Sequence, residues 1–166
     1  MAAKETIRPF NSGDWDDISR IYLQALDSDV STFQTSCPTF EKWDTSHLPF
    51  CRFVFTSDGK VAGWLALSPI SSRRIYAGVA EVSIFIEAEA RGKGIGTTLM
   101  QMAIATAEEN GIWTLQSNII QENAASIALH KKCGFREVGF REKIARDRFG
   151  VWRNTVLMER RSHCIF

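Results

Sequence analysis

The chain has 166 residues, of which 45% are hydrophobic and 23% are charged, with 20 basic residues against 19 acidic ones. This length and apolar content suit one buried core, so we expect a single domain over residues 1–166, with residues 160–166 as a tail. Balanced charge gives no overall field for steering toward nucleic acid or an anionic membrane, and neither partner is expected. Four widely spaced cysteines without metal-ligand spacing, and an N-terminus without an apolar signal segment, predict a reduced, metal-free, cytoplasmic protein.

The first half of the chain predicts a strand, a helix, an anchored loop and a hairpin. "ETIRPF" (5–10) is β-rich, and the apolar spacing that follows predicts a helix from about 14 to 27. Residues 28–50 are rich in Ser, Thr and Pro with scattered aromatic residues, which favours a loop or short helix that lines a cleft. Two β-rich runs then flank Asp58-Gly59, a strong hairpin signal.

The second half predicts strand, helix, strand, helix and two strands. "GVAEVSIFIEA" (78–88) alternates as a strand with Glu81 at its middle, and a helix runs from Gly96 to Asn110-Gly111. "IWTLQSNII" is the next strand, "NAASIALHKKCGF" is a helix, and residues 135–160 form two strands about a polar loop. The order predicts a mixed, mostly antiparallel α/β sheet with a strand-helix-strand crossover near 78–120.

A glycine-rich turn with two cations separates the strand at 78–88 from the following helix. Gly92, Gly94 and Gly96 stand beside Arg91 and Lys93, an arrangement that favours a phosphate on helix N-terminal N–H groups. The G-x-G-x-G spacing departs from the dinucleotide fingerprint, and the chain has no Walker A sequence. A plain turn with solvated cations remains the alternative reading of this loop alone.

Six segments together carry a family resemblance. They are "TFQT" (32–35), "EKWDTSHL" (41–48), "AEVSIFI" (80–86), "RGKGIG" (91–96), "NAASIALHKKCGF" (123–135) and "FGVWRNTVLM" (149–158). In this order they resemble the GNAT superfamily of acetyl-CoA-dependent N-acetyltransferases, most closely the phosphinothricin and methionine sulfone acetyltransferase group. The resemblance implies a GNAT-type sheet with a splayed central strand pair, acetyl-CoA as cosubstrate, and a homodimer.

The resemblance also implies which residues hold acetyl-CoA. The backbone around Ile84, Phe85 and Ile86 would bind the pantetheine arm, and Asn123 would contact the cosubstrate from the later helix. The pyrophosphate would lie on the glycine loop, formed by Arg91, Gly92, Lys93, Gly94, Ile95, Gly96 and Thr97.

Acetyl transfer to an amine needs a proton acceptor, a stabilised carbonyl oxygen and a leaving thiolate. Glu81 is the candidate base, although a solvated glutamate on an open strand face is the alternative. A backbone N–H near Val82 to Ile84 would stabilise the oxygen. His130 stands where many relatives have a tyrosine acid, and it could instead contact the cosubstrate or the core. Cys133, beside two lysines, could be a nucleophile, yet direct transfer needs none.

The resemblance maps the acceptor pocket onto three loops. The implied substrate-binding residues are Phe33, Thr35, Arg73, Arg74, Tyr76, Phe149 and Trp152. An arginine among them would grip an α-carboxylate in a bidentate manner, which suits a small amino-acid-like amine such as phosphinothricin, methionine sulfone or sulfoximine. The alternatives are a protein N-terminal or lysine acetyltransferase, and a non-catalytic acyl-CoA-binding module.

Overall fold

The predicted elements are all present in the computed structural model, which describes residues 4–166. The helices are α1 (Trp15–Asp27), α2 (Phe40–Ser46), α3 (Ile95–Glu109) and α4 (Ala124–Lys132). The strands are β1 (Glu5–Pro9), β2 (Phe53–Ser57), β3 (Lys60–Pro69), β4 (Val79–Ile86), β5 (Thr114–Ile120), β6 (Arg136–Arg146) and β7 (Trp152–Arg161). The sequence did not predict the short 3-10 turns at Ser12–Asp14, Arg74–Tyr76 and Ala88–Ala90.

The seven strands form one sheet in the order β1-β2-β3-β4-β5-β7-β6. Each neighbouring pair is antiparallel except β4 and β5, which are parallel and joined by the α3 crossover. The predicted mixed, mostly antiparallel sheet is therefore confirmed. Asp58 and Gly59 both have positive φ angles, 50° and 82°, as the turn between β2 and β3 requires.

The parallel pair separates soon after it begins. β4 pairs with β5 only over Val79–Glu81 and Thr114–Gln116, whereas its other edge stays paired with β3 as far as Ile86. β5 likewise stays paired with β7 as far as Ile120. The two strands therefore diverge at the centre of the sheet, which confirms the predicted splayed pair.

Side-chain alternation divides the core between the two faces of the sheet. One face of β2 and β3, including Val54 and Trp64, packs under α1 and α2. The other face, including Leu65, packs under α3 with Leu99 and Met100, which are 0% exposed. The splayed strands thus lie between two packed layers. None of the helices among residues 4–166 has the length and apolarity needed to cross a membrane.

The start of the parallel pair depends on a close approach at Gly78. The carbonyl oxygen of Gly78 accepts from the N–H groups of Trp113 (2.8 Å) and Thr114 (3.0 Å). A Cβ atom at Gly78 would lie 2.0 Å from Cε3 of the Trp113 ring. A side chain here therefore cannot coexist with the observed indole position.

We expect Gly78→Ala to lower the free energy of unfolding by about 1–3 kcal/mol, because the methyl group overpacks against the indole ring. Gly139→Ala is the matched control, since a Cβ there meets nothing within 4 Å. Chemical denaturation of the two variants tests the difference. Equal stability of the two would contradict the importance of this contact.

Candidate active site

A groove opens where β4 and β5 diverge. Its volume is about 900 Å³, and it is lined by both strands, the starts of α3 and α4, and the loop that follows α1. The lining includes Ile84, Phe85, Ile86, Glu81, Asn123, His130 and Phe33. The structure thus brings together residues that are up to 97 positions apart in sequence (Phe33 to His130) and that were assigned separately to the base, the cosubstrate and the acceptor.

One edge of β4 faces this groove with free backbone groups. The Val82 carbonyl oxygen lies 3.5 Å from the Ser117 hydroxyl on β5, whereas the Glu87 N–H donates to Ala62 O on the opposite side at 2.9 Å. Strand alternation therefore turns the backbone groups of Ile84 and Ile86 toward the groove and those of Phe85 toward β3. Of the three predicted residues, two present their backbone at the open edge.

The glycine loop ends in a helix N-terminus that faces the same groove. Gly92 and Gly94 have φ angles of 75° and 84°, and Gly94 is the N-cap of α3. The first intrahelical bond runs from Thr98 N to Gly94 O at 3.1 Å, so the N–H groups that precede it in the first turn have no intrahelical acceptor. Those donors and the helix dipole suit an anionic group.

Two residues of the glycine loop do not fit the prediction that the whole loop binds a phosphate. A Cβ at Gly96 would lie 2.9 Å from Cδ2 of Leu129, so this glycine allows α3 to pack closely on α4. Lys93 is exposed and does not line the groove, whereas Arg91 does and donates from Nε to Ile86 O at 3.3 Å. Asn123 lines the groove too, and its Oδ1 caps α4 by accepting from Ser126 N at 3.1 Å.

Glu81 lies at the point where the strands part, and its side chain is held on one oxygen. Its Oε2 accepts from Gln116 Nε2 at 3.2 Å and from Asn118 Nδ2 at 3.0 Å. Its Oε1 accepts no hydrogen bond within residues 4–166, so one carboxylate oxygen is available to a ligand. Sequence reasoning missed both amides, although the alternation of "TLQSN" places them on one face of β5.

A second cavity of about 400 Å³ meets the groove at Glu81. Its lining comes from α1, the loop after it, α2, β3 and β4: Tyr22, Thr32, Gln34, Pro38, Lys42, Trp43, Ser46, His47, Trp64, Glu81, Ser83 and Phe85. Glu81, Ser83 and Phe85 border both spaces, because alternate side chains of β4 share one face. A carboxylate therefore stands between a long groove and a compartment the size of a small molecule.

His130 is buried, at 1% exposure, and both ring nitrogens have partners. Nδ1 lies 2.7 Å from the Ser126 carbonyl oxygen, to which it must donate, and Nε2 lies 2.8 Å from the Ser117 hydroxyl. Burial lowers the pKa of His130, against a smaller opposing effect of the Ser126 hydrogen bond. The ring is thus neutral at pH 7, and Nε2 accepts from Ser117, a groove residue that sequence reasoning missed.

Cys133 is the C-cap residue that follows α4. Burial raises the pKa of its thiol, and the nearby cations of Lys132 and Arg160 offset this only in part. The thiol form predominates at neutral pH, which disfavours a covalent acetyl-cysteine mechanism.

The predicted acceptor residues are dispersed. Phe33 lines the groove, but Thr35 is exposed and borders neither cavity. The remaining five, Arg73, Arg74, Tyr76, Phe149 and Trp152, are exposed and line neither space. The guanidinium of Arg73 instead lies 5.5 Å from the centre of the Tyr76 ring. Within residues 4–166, no three His, Cys, Asp or Glu side chains cluster as metal ligands.

Comparisons with known proteins agree with this geometry. The model of the acetyltransferase (GNAT) family matches residues 15–135. A phosphinothricin N-acetyltransferase of Alcaligenes faecalis is 31% identical over 166 residues, covering 93% of this chain and 81% of that protein. Two crystal structures share the fold at 27% identity. One is a GNAT superfamily phosphinothricin acetyltransferase from Sinorhizobium meliloti in complex with AcCoA, with a TM-score of 0.86 and coverage of 97% of this chain and 89% of that one. The other is a ribosomal-protein-alanine N-acetyltransferase from Brucella melitensis, with a TM-score of 0.87 and coverage of 95% and 99%.

The neutral state of His130 predicts a pH dependence of stability. An unfolded histidine titrates near pH 6.5, and the folded pKa of His130 is lower. Below about pH 6.5 the unfolded chain therefore binds a proton that the folded chain excludes, and the free energy of unfolding falls by up to about 1.4 kcal/mol per pH unit for each such group. His47, whose pKa is also lowered by burial, contributes with the same sign.

We expect His130→Gln to reduce the slope of unfolding free energy between pH 6.5 and 5 without removing it, because His47 remains. The exposed His163→Gln is the control and should keep the full slope. Denaturant unfolding at a series of pH values measures both. An unchanged slope in His130→Gln would show that this ring is not held neutral.

Proposed function

Because the chain belongs to the acetyltransferase (GNAT) family of acetyl-CoA-dependent N-acetyltransferases, we propose that it acetylates the primary amine of a small amino-acid-like acceptor. The proposed acceptors are of the phosphinothricin, methionine sulfone or methionine sulfoximine type. The observation that carries the proposal is the position of Glu81, which borders both the groove and the 400 Å³ cavity and whose Oε1 accepts no hydrogen bond within residues 4–166. Residues 1–166 would form one catalytic domain.

Features of the groove itself, independent of family membership, suit acetyl-CoA as the cosubstrate. The strand-edge groups of Ile84 and the N–H of Ile86 suit the amides of a pantetheine arm, while the Ile86 carbonyl oxygen accepts from Arg91 Nε. The free N–H groups of the first turn of α3 suit a pyrophosphate. Arg91 and Asn123 border the same space. When bound, acetyl-CoA supplies an acyl thioester that an amine can attack directly.

Glu81 is proposed as the base that makes the amine nucleophilic. A peptide α-amine titrates near pH 8, and the adjacent carboxylate of a free amino acid raises the pKa of its amine above that value. The amine is therefore largely protonated at neutral pH, and a carboxylate has to accept its proton, directly or through a water. Gln116 and Asn118 fix Oε2 and thereby aim Oε1 at the incoming ammonium group. Backbone N–H groups between Val82 and Ile84 would stabilise the carbonyl oxygen as charge develops there.

His130 is better suited to positioning than to direct proton donation. Its one proton is committed to the Ser126 carbonyl, and its Nε2 accepts from Ser117. We therefore propose that His130 holds Ser117 and the start of α4 beside the groove. Its assignment as the general acid remains the second hypothesis.

The rival acceptor is a protein N-terminus or lysine, and the name of the Brucella melitensis ribosomal-protein-alanine N-acetyltransferase specifies a protein acceptor for that enzyme. A release assay for the CoA thiol, run with acetyl-CoA and a panel of amino acids, phosphinothricin, methionine sulfone and short peptides, separates the possibilities. Release with small amino-acid-like amines supports the proposal. Release only with peptides supports the rival, and tight CoA binding without release supports a non-catalytic module.

In the same assay, Glu81→Gln should lower turnover by on the order of a hundredfold, because the amide cannot accept the amine proton. The deficit should shrink above about pH 8, where more of the amine is already unprotonated. Binding of acetyl-CoA, measured by calorimetry, should stay close to that of the unsubstituted protein. Glu142→Gln, at an exposed position, is the control, and normal turnover in Glu81→Gln would remove Glu81 from the mechanism.

We also propose that the protein is a homodimer that uses the β6–β7 hairpin. β6 is an edge strand, and this hairpin exposes Phe140 (54%), Ile144 (49%) and Trp152 (49%). An unpaired strand edge with exposed apolar side chains favours association with another chain. Association of two chains through this edge would cover the exposed apolar side chains of the hairpin.

Phe140→Asp should therefore shift the protein toward the monomer in light scattering coupled to size exclusion, because a charge is placed in an apolar contact. Met102→Asp, on α3 and 41% exposed, is the matched control and should not change the mass. A monomeric unsubstituted protein would contradict the dimer.

A further inference from the structure

We propose that Lys42, on α2, selects the acceptor by pairing with an anionic oxygen group on it, and so determines specificity in the 400 Å³ cavity. The inference rests on the proposed function and names a residue that the sequence did not single out. It assigns to Lys42 the role that the resemblance gave to Arg73 or Arg74, both of which lie outside the two cavities.

The charges that line this cavity are few and opposite in sign. Glu81 is its one carboxylate and Lys42 its one permanent cation among the lining residues. Within residues 4–166 the Lys42 ammonium has no carboxylate within 4.0 Å, whereas Lys60 pairs with Glu87 at 3.2 Å and Lys131 with Glu137 at 2.7 Å. Lys42 is therefore a cation without a protein counter-ion at the border of a ligand-sized space.

The histidine beside it does not supply a second positive charge. Nδ1 of His47 lies 2.6 Å from the Trp43 carbonyl oxygen and must donate to it. Burial lowers the pKa of His47, helped by the nearby charge of Arg52. The neutral ring offers Nε2 as an acceptor only, so attraction of an anion in this cavity falls to Lys42.

The rest of the wall is richer in donors than in acceptors. Trp43 and Trp64 are 2% and 1% exposed, border the cavity, and have indole N–H groups without an acceptor within residues 4–166. Hydroxyl groups of Tyr22, Thr32 and Ser83 can donate as well, whereas the Ser46 hydroxyl already donates to the Trp43 carbonyl oxygen at 3.0 Å. A wall of this kind suits a ligand that presents oxygen atoms.

These features define the acceptor as a molecule with two opposite ends. Its ammonium group would meet the free oxygen of Glu81, and its anionic oxygen group would meet Lys42. A free α-amino acid has this pattern, whereas an amino-acid amide or a peptide N-terminus lacks the adjacent carboxylate. Phosphinothricin carries a carboxylate and a phosphinate, whereas methionine sulfone carries the carboxylate as its one anionic group. Comparing the two acceptors therefore shows which anionic group pairs with Lys42.

The test compares each acceptor with its α-carboxamide in the unsubstituted protein, Lys42→Met, Lys42→Arg and the control Lys60→Met. The unsubstituted protein and Lys60→Met should prefer the acid over the amide by about tenfold in kcat/KM, as expected of a charge-assisted contact. Lys42→Met should lose this preference through a rise in KM for the acid, and Lys42→Arg should retain it. Higher salt should weaken the preference only where Lys42 is present.

Acceptor binding is followed separately through tryptophan fluorescence, since Trp43 and Trp64 border the cavity. A preference for the amide, or an unchanged KM for the acid in Lys42→Met, would overturn the inference. Lys42-dependent binding of the acid without thiol release would support the inference and overturn the proposed function. Thiol release with equal use of acid and amide would support the proposed function and overturn the inference about Lys42.

Discussion

The separation of β4 from β5 after three paired residues is the constraint on which the site depends. If the strands stayed paired, the backbone groups of Ile84 and Ile86 would hydrogen-bond to β5, and no groove would reach the N-terminus of α3. The separation starts at Glu81 because pairing is firm before it, where Gly78 lies against Trp113. Beyond it, the Ser117 hydroxyl on β5 lies 2.8 Å from Nε2 of the buried His130 and 3.5 Å from the Val82 carbonyl oxygen. This side chain thus links β5 to α4 where the two strands part.

The electrostatics of the cleft follow from keeping its histidines neutral. His130 on one side is buried and His47 on the other is half-buried; both donate through Nδ1 to backbone carbonyls and have lowered pKa values. Imidazolium at either place would neutralise or compete with the charges that act on ligands. Their neutrality leaves the charge of the groove to Arg91, Lys132, Glu81 and Glu122, and that of the smaller cavity to Glu81 and Lys42. In the proposed function, Arg91, Glu81 and Lys42 act on three different chemical groups in a protein whose net charge is only +1.

Local physics explains which features could be predicted from sequence. Period-two alternation in "AEVSIFI" fixed both the strand and the face of Glu81, and glycine and asparagine marked the starts and ends of α3 and α4. The partners of Glu81 and His130 were not predictable in this way, because Gln116, Asn118 and Ser117 approach them only through pairing of distant segments. The residues of the acceptor wall were even less predictable. Lys42 borders the smaller cavity only because α2 packs against β3. The aromatic and basic residues of the loop at 73–76 and of the last hairpin point outward in the monomer.

The geometry of β4 also separates the two ligand problems. A strand presents its backbone along its edges and its side chains across its faces. In the proposed function, the edge that faces β5 binds the cosubstrate through backbone groups, which few substitutions alter. The face that carries Glu81, Ser83 and Phe85 looks toward α1 and α2, where the wall consists of side chains from residues 22–47 and from β3. Under the proposed function, changes in that wall can therefore alter the acceptor while leaving most of the groove intact, because only a few side chains, with Glu81, Ser83 and Phe85 among them, border both spaces.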